Sequence, residues 1–316
     1  MEILRERGLR LDLSADKRRK AKNAFLVDPT SFVVGASLEE SLRFGPFDIA
    51  IYALKSYDTP EAMDQIKPFA ETMPPVLCLS NGVDNEPALT GVLGMEKVIY
   101  GTLTSAVGRR GPGDIHLEKL RGVGIGSSHP LSEKLVEIFN GAFLNAQLFQ
   151  DDASMKWSKM LTNLLANPLS AILDMTPGEI FSHRGLYRLE ISVLRECLAV
   201  MEAENLEVVD LPKTPVRALA FSTRLPFWLS KALLTRAVGS GRGGKMPSFH
   251  IDLHSGRGKS EVGYLHGAVV RAGKKDNIAT PVNKVLTEVL VSMTKGETPI
   301  DAFAGNPGKL LEKVIN

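Results

Sequence analysis

The chain has 316 residues, of which 44% are hydrophobic and 23% charged, a composition typical of a globular protein with room for two domains. Its 38 Lys and Arg residues nearly balance its 36 Asp and Glu residues. Because no overall positive field results, we expect neither a nucleic-acid partner nor binding to an anionic membrane.

The first half of the chain alternates strand and helix patterns. Phe47–Leu54 reads as a buried strand, and the next strands are expected at Val76–Leu79 and Val98–Leu103. Helical spacing is found between them, at Pro60–Thr72 and Glu86–Leu93. Strands joined by helical segments predict right-handed crossovers and therefore a parallel sheet.

Beyond Ala106 the pattern changes to short Gly-rich and β-branched pieces. The stretch HLEKLRGVGIG, residues 116–126, suggests a hairpin-like antiparallel edge. Leu131–Phe143 has helical spacing, and Ala146–Phe149 could close the sheet.

From Asp151 onward strand signals nearly vanish. Five helices are expected: Ser154–Leu173, Tyr187–Asn205, Thr214–Val238, Ser260–Ala272 and Pro281–Thr294, the last capped by Thr280. The change of texture predicts an α/β domain over residues 1–150 and a helical domain over residues 151–316.

The N-terminal segment MEILRERGLRLDL has charges where a signal peptide needs an apolar run. No stretch approaches the roughly 20 apolar residues of a membrane span. Cys78 and Cys197 each lie in an apolar run, outside any Cys-x-x-Cys spacing, as core thiols in a reducing compartment do. We therefore expect a cytoplasmic protein.

Lys159, Asn163 and Asn167 recur every four residues in a segment that is otherwise apolar. On a helix these positions share one face. Burying an amine and two amides without partners is costly, so this stripe indicates contact with a polar ligand. Alternatively, the three residues merely border a surface helix.

The motif Lys-x3-Asn-x3-Asn-Pro-Leu-Ser-Ala resembles the catalytic helix of the ketopantoate reductase (2-dehydropantoate 2-reductase) family. Four further stretches resemble that family in the same order: FDIAIYALKSY at 47–57, LSNG at 79–82, PSFHIDLHSGRGKSEVGYLHG at 247–267 and TPVN at 280–283. The resemblance implies NADPH-dependent reduction of a 2-oxo acid, most specifically of ketopantoate to pantoate in pantothenate biosynthesis. It also implies a small-molecule substrate and allows a homodimer.

The fold implied is an α/β, Rossmann-like domain followed by an all-helical domain of the 6-phosphogluconate dehydrogenase-like type. In the family the first strand runs into Gly-x-Gly-x-x-Gly, which lets the backbone approach the cofactor pyrophosphate. Here Ile3–Leu11 resembles the segment after the second strand, so we expect an N-terminally truncated Rossmann-like domain without its first βαβ unit. We accordingly expect this chain to bind NADPH weakly or not at all, and an N-terminally extended form to bind it well.

One segment matches a nucleotide-binding pattern out of context. Gly239–Gly244 fits Gly-x-Gly-x-x-Gly, and with Lys245 it nearly fits a phosphate loop. It follows a helical segment rather than a strand, and Met246 replaces the hydroxyl that would hold magnesium. We interpret it as a loop between helices.

On the substrate side, the resemblance makes Lys159 the general acid. Its pKa would be lowered by a partly apolar pocket, and its ammonium would stabilise the developing alkoxide. Asn163, Asn167 and Ser248 would bind the substrate, and Asn81 would contact both substrate and cofactor. Ser248 could instead cap a helix, and Asn81 could belong to a plain Asn-Gly turn.

On the cofactor side, the resemblance implicates Lys55, Asn81, Ala106 and Glu261. Glu261 matches a glutamate that faces the ribose and nicotinamide, although a carboxylate at the start of a helix is also favoured by the macrodipole alone. Pro177, Lys245 and His266 depart from asparagines of the family pattern, which leaves the identity of the oxo acid open.

His250 and His254 are an i, i+4 pair with Asp252 between them, which is the spacing of a metal-binding pair. We expect no third ligand nearby, and hydride transfer needs no metal, so we expect no metal site. A second interpretation of the whole chain is a truncated, non-catalytic relative that acts in binding or assembly. An interaction module has no reason to keep Lys159, Asn163, Asn167, Ser248 and Glu261 together, whereas the missing glycine loop favours this second interpretation.

Overall fold

The structure is a computed structural model that describes residues 2–18, 24–226, 228–231 and 245–315. Strands in this part of the chain lie between residues 9 and 149, and the residues after 152 are helical apart from an isolated bridge between Leu211 and Thr214. The fold is thus an α/β, Rossmann-like N-terminal domain followed by a helical C-terminal domain. We propose the domain boundary near residue 150, between the last strand and the first long helix.

Nine strands are described: β1 Leu9–Asp12, β2 Ala24–Val27, β3 Ala50–Tyr52, β4 Val76–Cys78, β5 Val98–Leu103, β6 Ala106–Gly111, β7 Asp114–Lys119, β8 Val123–Gly126 and β9 Ala146–Phe149. They form a five-stranded sheet in the order β3-β4-β5-β8-β9 and a four-stranded sheet in the order β2-β1-β7-β6. β3, β4 and β5 are parallel, as expected, whereas β8 is antiparallel to β5 and parallel to β9.

The helices of the first domain are α1 Glu2–Arg7, α2 Leu38–Leu42, α3 Thr59–Ile66, α4 Asn85–Leu93 and α5 Ser132–Gly141. Side chains alternate across the five-stranded sheet. Val76 and Cys78 of β4 belong to one apolar cluster with residues of α3 and α4, whereas Leu77 packs in a second cluster with Leu135 of α5. Since successive strand residues point to opposite faces, both faces of the sheet are covered by helices.

The helices of the second domain are α6 Asp152–Leu164, α7 Asn167–Leu173, α8 Pro177–Ser182, α9 Arg184–Ala203, α10 Val216–Ser222, α11 Ser248–His254, α12 Val262–Lys275, α13 Pro281–Thr294 and α14 Pro307–Ile315. Their buried side chains form one large apolar cluster. None of the helices in the described ranges is long and apolar enough to cross a lipid bilayer.

A carboxylate of α9, Glu196, holds the start of α13. Glu196 accepts the backbone N–H groups of Val282 and Asn283 at 2.8 and 2.9 Å. These are free donors at the first turn of α13. Thr280 stands at the N-cap position but makes no side-chain cap bond, so its expected capping role is wrong and Glu196 takes it.

Three expectations about the elements were wrong. The strand expected at Phe47–Leu54 is shorter and lies at the sheet edge, where Ile51 is 55% exposed. The hairpin expected within residues 116–126 does not form, because β7 pairs with β6 in one sheet and β8 with β5 in the other. The helix expected at Thr214–Val238 is interrupted. α10 spans only Val216–Ser222, residues 228–231 are helical again, and residues 232–238 lie outside the described ranges.

Candidate functional site

The carboxyl ends of β3 and β4 lie side by side, since the two strands are parallel neighbours. Lys55 and Ser56 follow β3, and Asn81 follows β4. The Ser56 hydroxyl donates to the backbone oxygen of Asn81 at 2.7 Å, and the Asn85 amide donates to the same oxygen at 2.7 Å. These bonds fix the two strand ends at the edge where open α/β sheets bind ligands.

A chain of amides and a hydroxyl connects this edge to the helical domain. The Asn163 amide donates to Asn81 Oδ1 at 3.1 Å. Asn167 donates to the backbone oxygen of Asn163 at 3.2 Å and to Ser248 Oγ at 3.4 Å. All four residues expected at the substrate are therefore brought together, although they come from the loop after β4 and from α6, α7 and α11.

Asn167 also holds the start of α11, because its Oδ1 accepts the backbone N–H of Phe249 at 3.0 Å. Ser248 is the first residue of that helix, and Pro247 occupies the cap position without a side-chain bond. The alternative of Ser248 as a cap is therefore wrong, and its hydroxyl faces Asn167 instead.

Lys159, the expected general acid, lies on α6 one turn before Asn163 and is half-buried. Its backbone oxygen accepts the Thr162 hydroxyl at 2.8 Å. Lys159 and Asn163 share one face of α6, as the four-residue spacing predicted.

We expected the polar stripe to lie on one continuous helix, and this expectation was wrong. α6 ends at Leu164 and α7 begins at Asn167, with Ala166 between them at φ 56°. Pro168 causes the break, because it lacks an N–H and its ring would clash with the carbonyl of Leu164. Asn167 nevertheless stays within hydrogen-bond distance of the Asn163 backbone.

The break is held by a residue that sequence reasoning missed. Glu190 on α9 accepts the backbone N–H of Ala166 at 2.9 Å. Burial raises the pKa of its carboxyl to about 8, even though the bond from Ala166 opposes the shift. Only its place on the apolar face of α9, one turn from Leu186 and one turn from Leu194, could have drawn attention to it.

A second cluster joins the expected cofactor residues across the domains. Lys55 Nζ contacts Glu261 Oε2 at 2.6 Å and Asp252 Oδ2 at 3.2 Å. Ser56 donates its backbone N–H to Glu261 Oε1 at 3.2 Å. Burial lowers the pKa of Lys55, but attraction from Glu261 and Asp252 outweighs it, so the pKa lies above its usual value.

Within the described residues, no hydrogen bond joins Ala106 to either cluster. It opens β6, three residues after the end of β5, and it is paired with Lys119 of β7 in the smaller sheet.

Lys156, which the sequence stripe omitted, is the most deeply buried cation of α6. It is 3% exposed, and its Nζ contacts Glu86 Oε1 at 2.6 Å, a carboxylate that is 0% exposed. It also donates to the backbone oxygens of Ser80 at 2.8 Å and Gly101 at 3.1 Å. Lys156 thus attaches α6 to strands β4 and β5. Its partner Glu86 lies 70 positions earlier, so no local spacing reveals it.

Two exposed ion pairs also cross between the domains. Lys259 contacts Asp58 at 2.7 Å, and Arg271 of α12 contacts Asp84, which precedes α4.

The departures from the family pattern have separate roles. Pro177 begins α8, where Thr176 and Glu179 form a capping box, and Lys245 pairs with Glu118. His266 is fully buried and donates from Nδ1 to Asn283 Oδ1 at 2.8 Å, and burial lowers its pKa to about 4. The segment Gly239–Gly244 lies outside the described ranges.

The expectation that no third metal ligand stands near His250 and His254 was wrong. Asp174 Oδ1 lies 2.7 Å from His250 Nε2, and one ligand atom from each of the three residues falls within 4.8 Å of the others.

The chain was compared with known families and structures. The model of ketopantoate reductase PanE/ApbA matches residues 1–129, and that of its C-terminal part matches residues 153–294. The 2-dehydropantoate 2-reductase of Streptococcus pyogenes is 24% identical over 247 residues, which cover 77% of this chain and 75% of that protein. Its namesake in Aquifex aeolicus is 25% identical over 261 residues, with 79% and 77% covered.

Solved structures give the same result for the fold. A PanE/ApbA family ketopantoate reductase from Ralstonia eutropha is 25% identical, with a TM-score of 0.73 and coverage of 94% of this chain and 88% of that one. D-mandelate dehydrogenase, solved with NADH and anilino(oxo)acetate, is 20% identical, with a TM-score of 0.69 and coverage of 93% and 87%. With both domains matched by the family models and the fold shared, the chain belongs to the ketopantoate reductase family of oxidoreductases.

Proposed function

We propose that this protein is an NADPH-dependent 2-oxo acid reductase that converts ketopantoate to pantoate in pantothenate biosynthesis. The observation that carries the proposal is the hydrogen-bonded chain from Asn81 through Asn163 and Asn167 to Ser248, with Lys159 beside it on α6. Four separate segments contribute polar groups to one place, and a purely structural junction does not need a half-buried lysine there.

The polar groups match the needs of a small 2-oxo acid. Its carboxylate and carbonyl oxygens accept hydrogen bonds, and the amides of Asn163 and Asn167 and the hydroxyl of Ser248 can donate them. Lys159 would donate a proton to the alkoxide oxygen as it forms, and its positive charge would stabilise that oxygen beforehand.

The described residues fit the nicotinamide and ribose end of a cofactor. Glu261 is a nearly buried carboxylate at the carboxyl ends of the strands, held by Lys55 and Ser56, and such a carboxylate can accept ribose hydroxyls. Asn81 and Ala106 complete the set that we assign to the cofactor. A bound nicotinamide would supply the hydride. No glycine loop follows a strand in the described ranges, and we assign no pyrophosphate contact.

The test is the ketopantoate-dependent loss of NADPH absorbance. Because we expect weak cofactor binding, the NADPH concentration is raised until the rate no longer increases, at saturating ketopantoate. Lys159→Ala should lower kcat by about 10² to 10⁴, as the loss of a general acid does. The matched control is Lys284→Ala, since Lys284 is an exposed lysine of α13 paired only with Glu288 at 3.9 Å; this variant should keep the parental rate.

Two results would overturn the proposal. One is near-parental turnover by Lys159→Ala. The other is the absence of any ketopantoate-dependent oxidation of NADPH by the parent protein, which would favour a non-catalytic role in binding or assembly. A 2-oxo acid with an aromatic substituent serves as the comparison substrate, and faster reduction of it would exclude ketopantoate as the preferred substrate.

A further inference from the structure

Two histidines and an aspartate form one cluster on the neighbouring helices α7 and α11. His250 and His254 lie one turn apart on α11, with ring centroids 4.1 Å apart. Asp174 follows the last residue of α7 in a left-handed conformation, at φ 51°, which turns its side chain to His250. Two elements thus present three ligand groups to one point.

The donor set suits a divalent transition metal. Two imidazole nitrogens and one carboxylate oxygen are the ligands of many zinc sites, with metal–ligand distances of about 2.0–2.2 Å. Tetrahedral geometry then places neighbouring ligand atoms about 3.3 Å apart. The three ligand atoms lie within 4.8 Å of one another, so small side-chain rotations bring them to this spacing.

The exposure of the three residues is compatible with loading from solvent. Asp174 and His254 are exposed and His250 is half-buried, so a metal ion has access and a fourth position stays open to water. A site with three protein ligands and one open position can exchange its metal and its fourth ligand, unlike a closed structural site.

We propose that Asp174, His250 and His254 form a binding site for Zn²⁺ or a related divalent transition metal ion. The site is separate from the proposed oxo-acid site, although both are built on the same two helices. Asn167 and Ser248 begin α7 and α11, whereas Asp174 and His254 lie at the C-terminal ends of the same helices.

Isothermal titration of the chain, purified without a histidine tag, with zinc chloride tests the proposal. We expect one equivalent of Zn²⁺ to bind. Substitutions His254→Ala and Asp174→Asn should each weaken binding by more than about tenfold, since even a lost outer-sphere partner of a metal ligand costs about 10- to 100-fold. The control is His116→Ala, which removes an imidazole from β7 beside Glu118 and should leave the affinity unchanged.

A second readout uses Co²⁺, whose visible absorption reports nitrogen and oxygen coordination. The parent should develop this absorption, the double variant His250→Ala/His254→Ala should not, and acidification should abolish it because protons compete for the imidazoles. The proposal fails if the parent takes up no stoichiometric metal, or if the double variant binds Zn²⁺ as tightly as the parent while circular dichroism shows that it is folded.

Discussion

Lys55 and Glu261 lie 206 positions apart in the chain and form an ion pair with an Nζ–Oε2 distance of 2.6 Å. The pair joins the end of β3 to the residue that precedes α12. Its two members differ in burial, since the Lys55 side chain is 39% exposed and that of Glu261 only 2%. The two substitutions that break the pair should therefore have unequal costs.

Lys55→Ala should destabilise the protein more than Glu261→Gln. The first substitution leaves a buried carboxylate with only Ser56 as a donor. A buried acceptor that lacks hydrogen-bond partners lowers the free energy of unfolding by about 1–3 kcal/mol or more. The second leaves a lysine that reaches water and retains Asp252. Urea unfolding of both variants measures the difference. Equal midpoints, or a larger loss in Glu261→Gln, would contradict the prediction.

The Lys156–Glu86 pair should behave as a coupled unit. Lys156→Met alone leaves Glu86 buried without its cation, and the expected loss is about 3–5 kcal/mol. The double variant Lys156→Met/Glu86→Leu removes both charges and should recover much of that loss. A double-mutant cycle from urea unfolding checks this coupling. Additive losses from the two single substitutions would show that the charges do not interact.

Glu190 should make stability fall as the pH rises. Its pKa in the folded protein is about 8, above the ordinary value of 4.5, so the folded state holds a proton that the unfolded state releases first. Between pH 4.5 and 8 the contribution of Glu190 to the free energy of unfolding therefore decreases by about 1.4 kcal/mol per pH unit.

Glu190→Gln should remove this loss, because the amide oxygen still accepts the Ala166 N–H and carries no charge. The stability of the variant relative to the parent should increase from pH 5 to pH 8, as measured by urea unfolding at each pH. Glu202→Gln, an exposed position of the same helix, is the control. A constant difference across the range would rule out the buried carboxyl as the cause.

Asn163 and Asn167 should separate substrate binding from folding. Asn163→Ala loses one side-chain bond to Asn81, so we expect a higher KM for ketopantoate with little change in stability. Asn167→Ala also removes the acceptor of the buried Phe249 N–H, which adds a loss of about 1–3 kcal/mol. Steady-state kinetics and urea unfolding together test the distinction. An unchanged KM in Asn163→Ala would remove that residue from the proposed substrate site.

Sequence patterns predicted the elements whose signals are local. The strand Val98–Leu103 and the helix Pro281–Thr294 are confirmed with the expected bounds, since one begins with Val, Ile and Tyr and the other begins with a proline. Cys78 and Cys197 are confirmed as buried free thiols.

Features that depend on residues distant in sequence could not be predicted from local sequence patterns. We expected one helix over Ser154–Leu173 despite Pro168, and the carboxylate that holds Ala166 at the break lies on α9. Lys156 looks like Lys159 in sequence, and only the position of Glu86 in the fold distinguishes a buried ion pair from a residue at the cleft. Asp174 became a partner of His250 because two helices pack side by side, which no spacing within α11 encodes.

The buried Lys156 ammonium also determines how ionic strength acts on the molecule. Salt screens exposed charges strongly and buried ones weakly, so the attachment of α6 to β4 and β5 should persist at high salt. The Lys259–Asp58 and Arg271–Asp84 pairs are exposed and should weaken under the same conditions. Added salt should therefore weaken the ion pairs at and before α12 more than the attachment of α6 to the sheet.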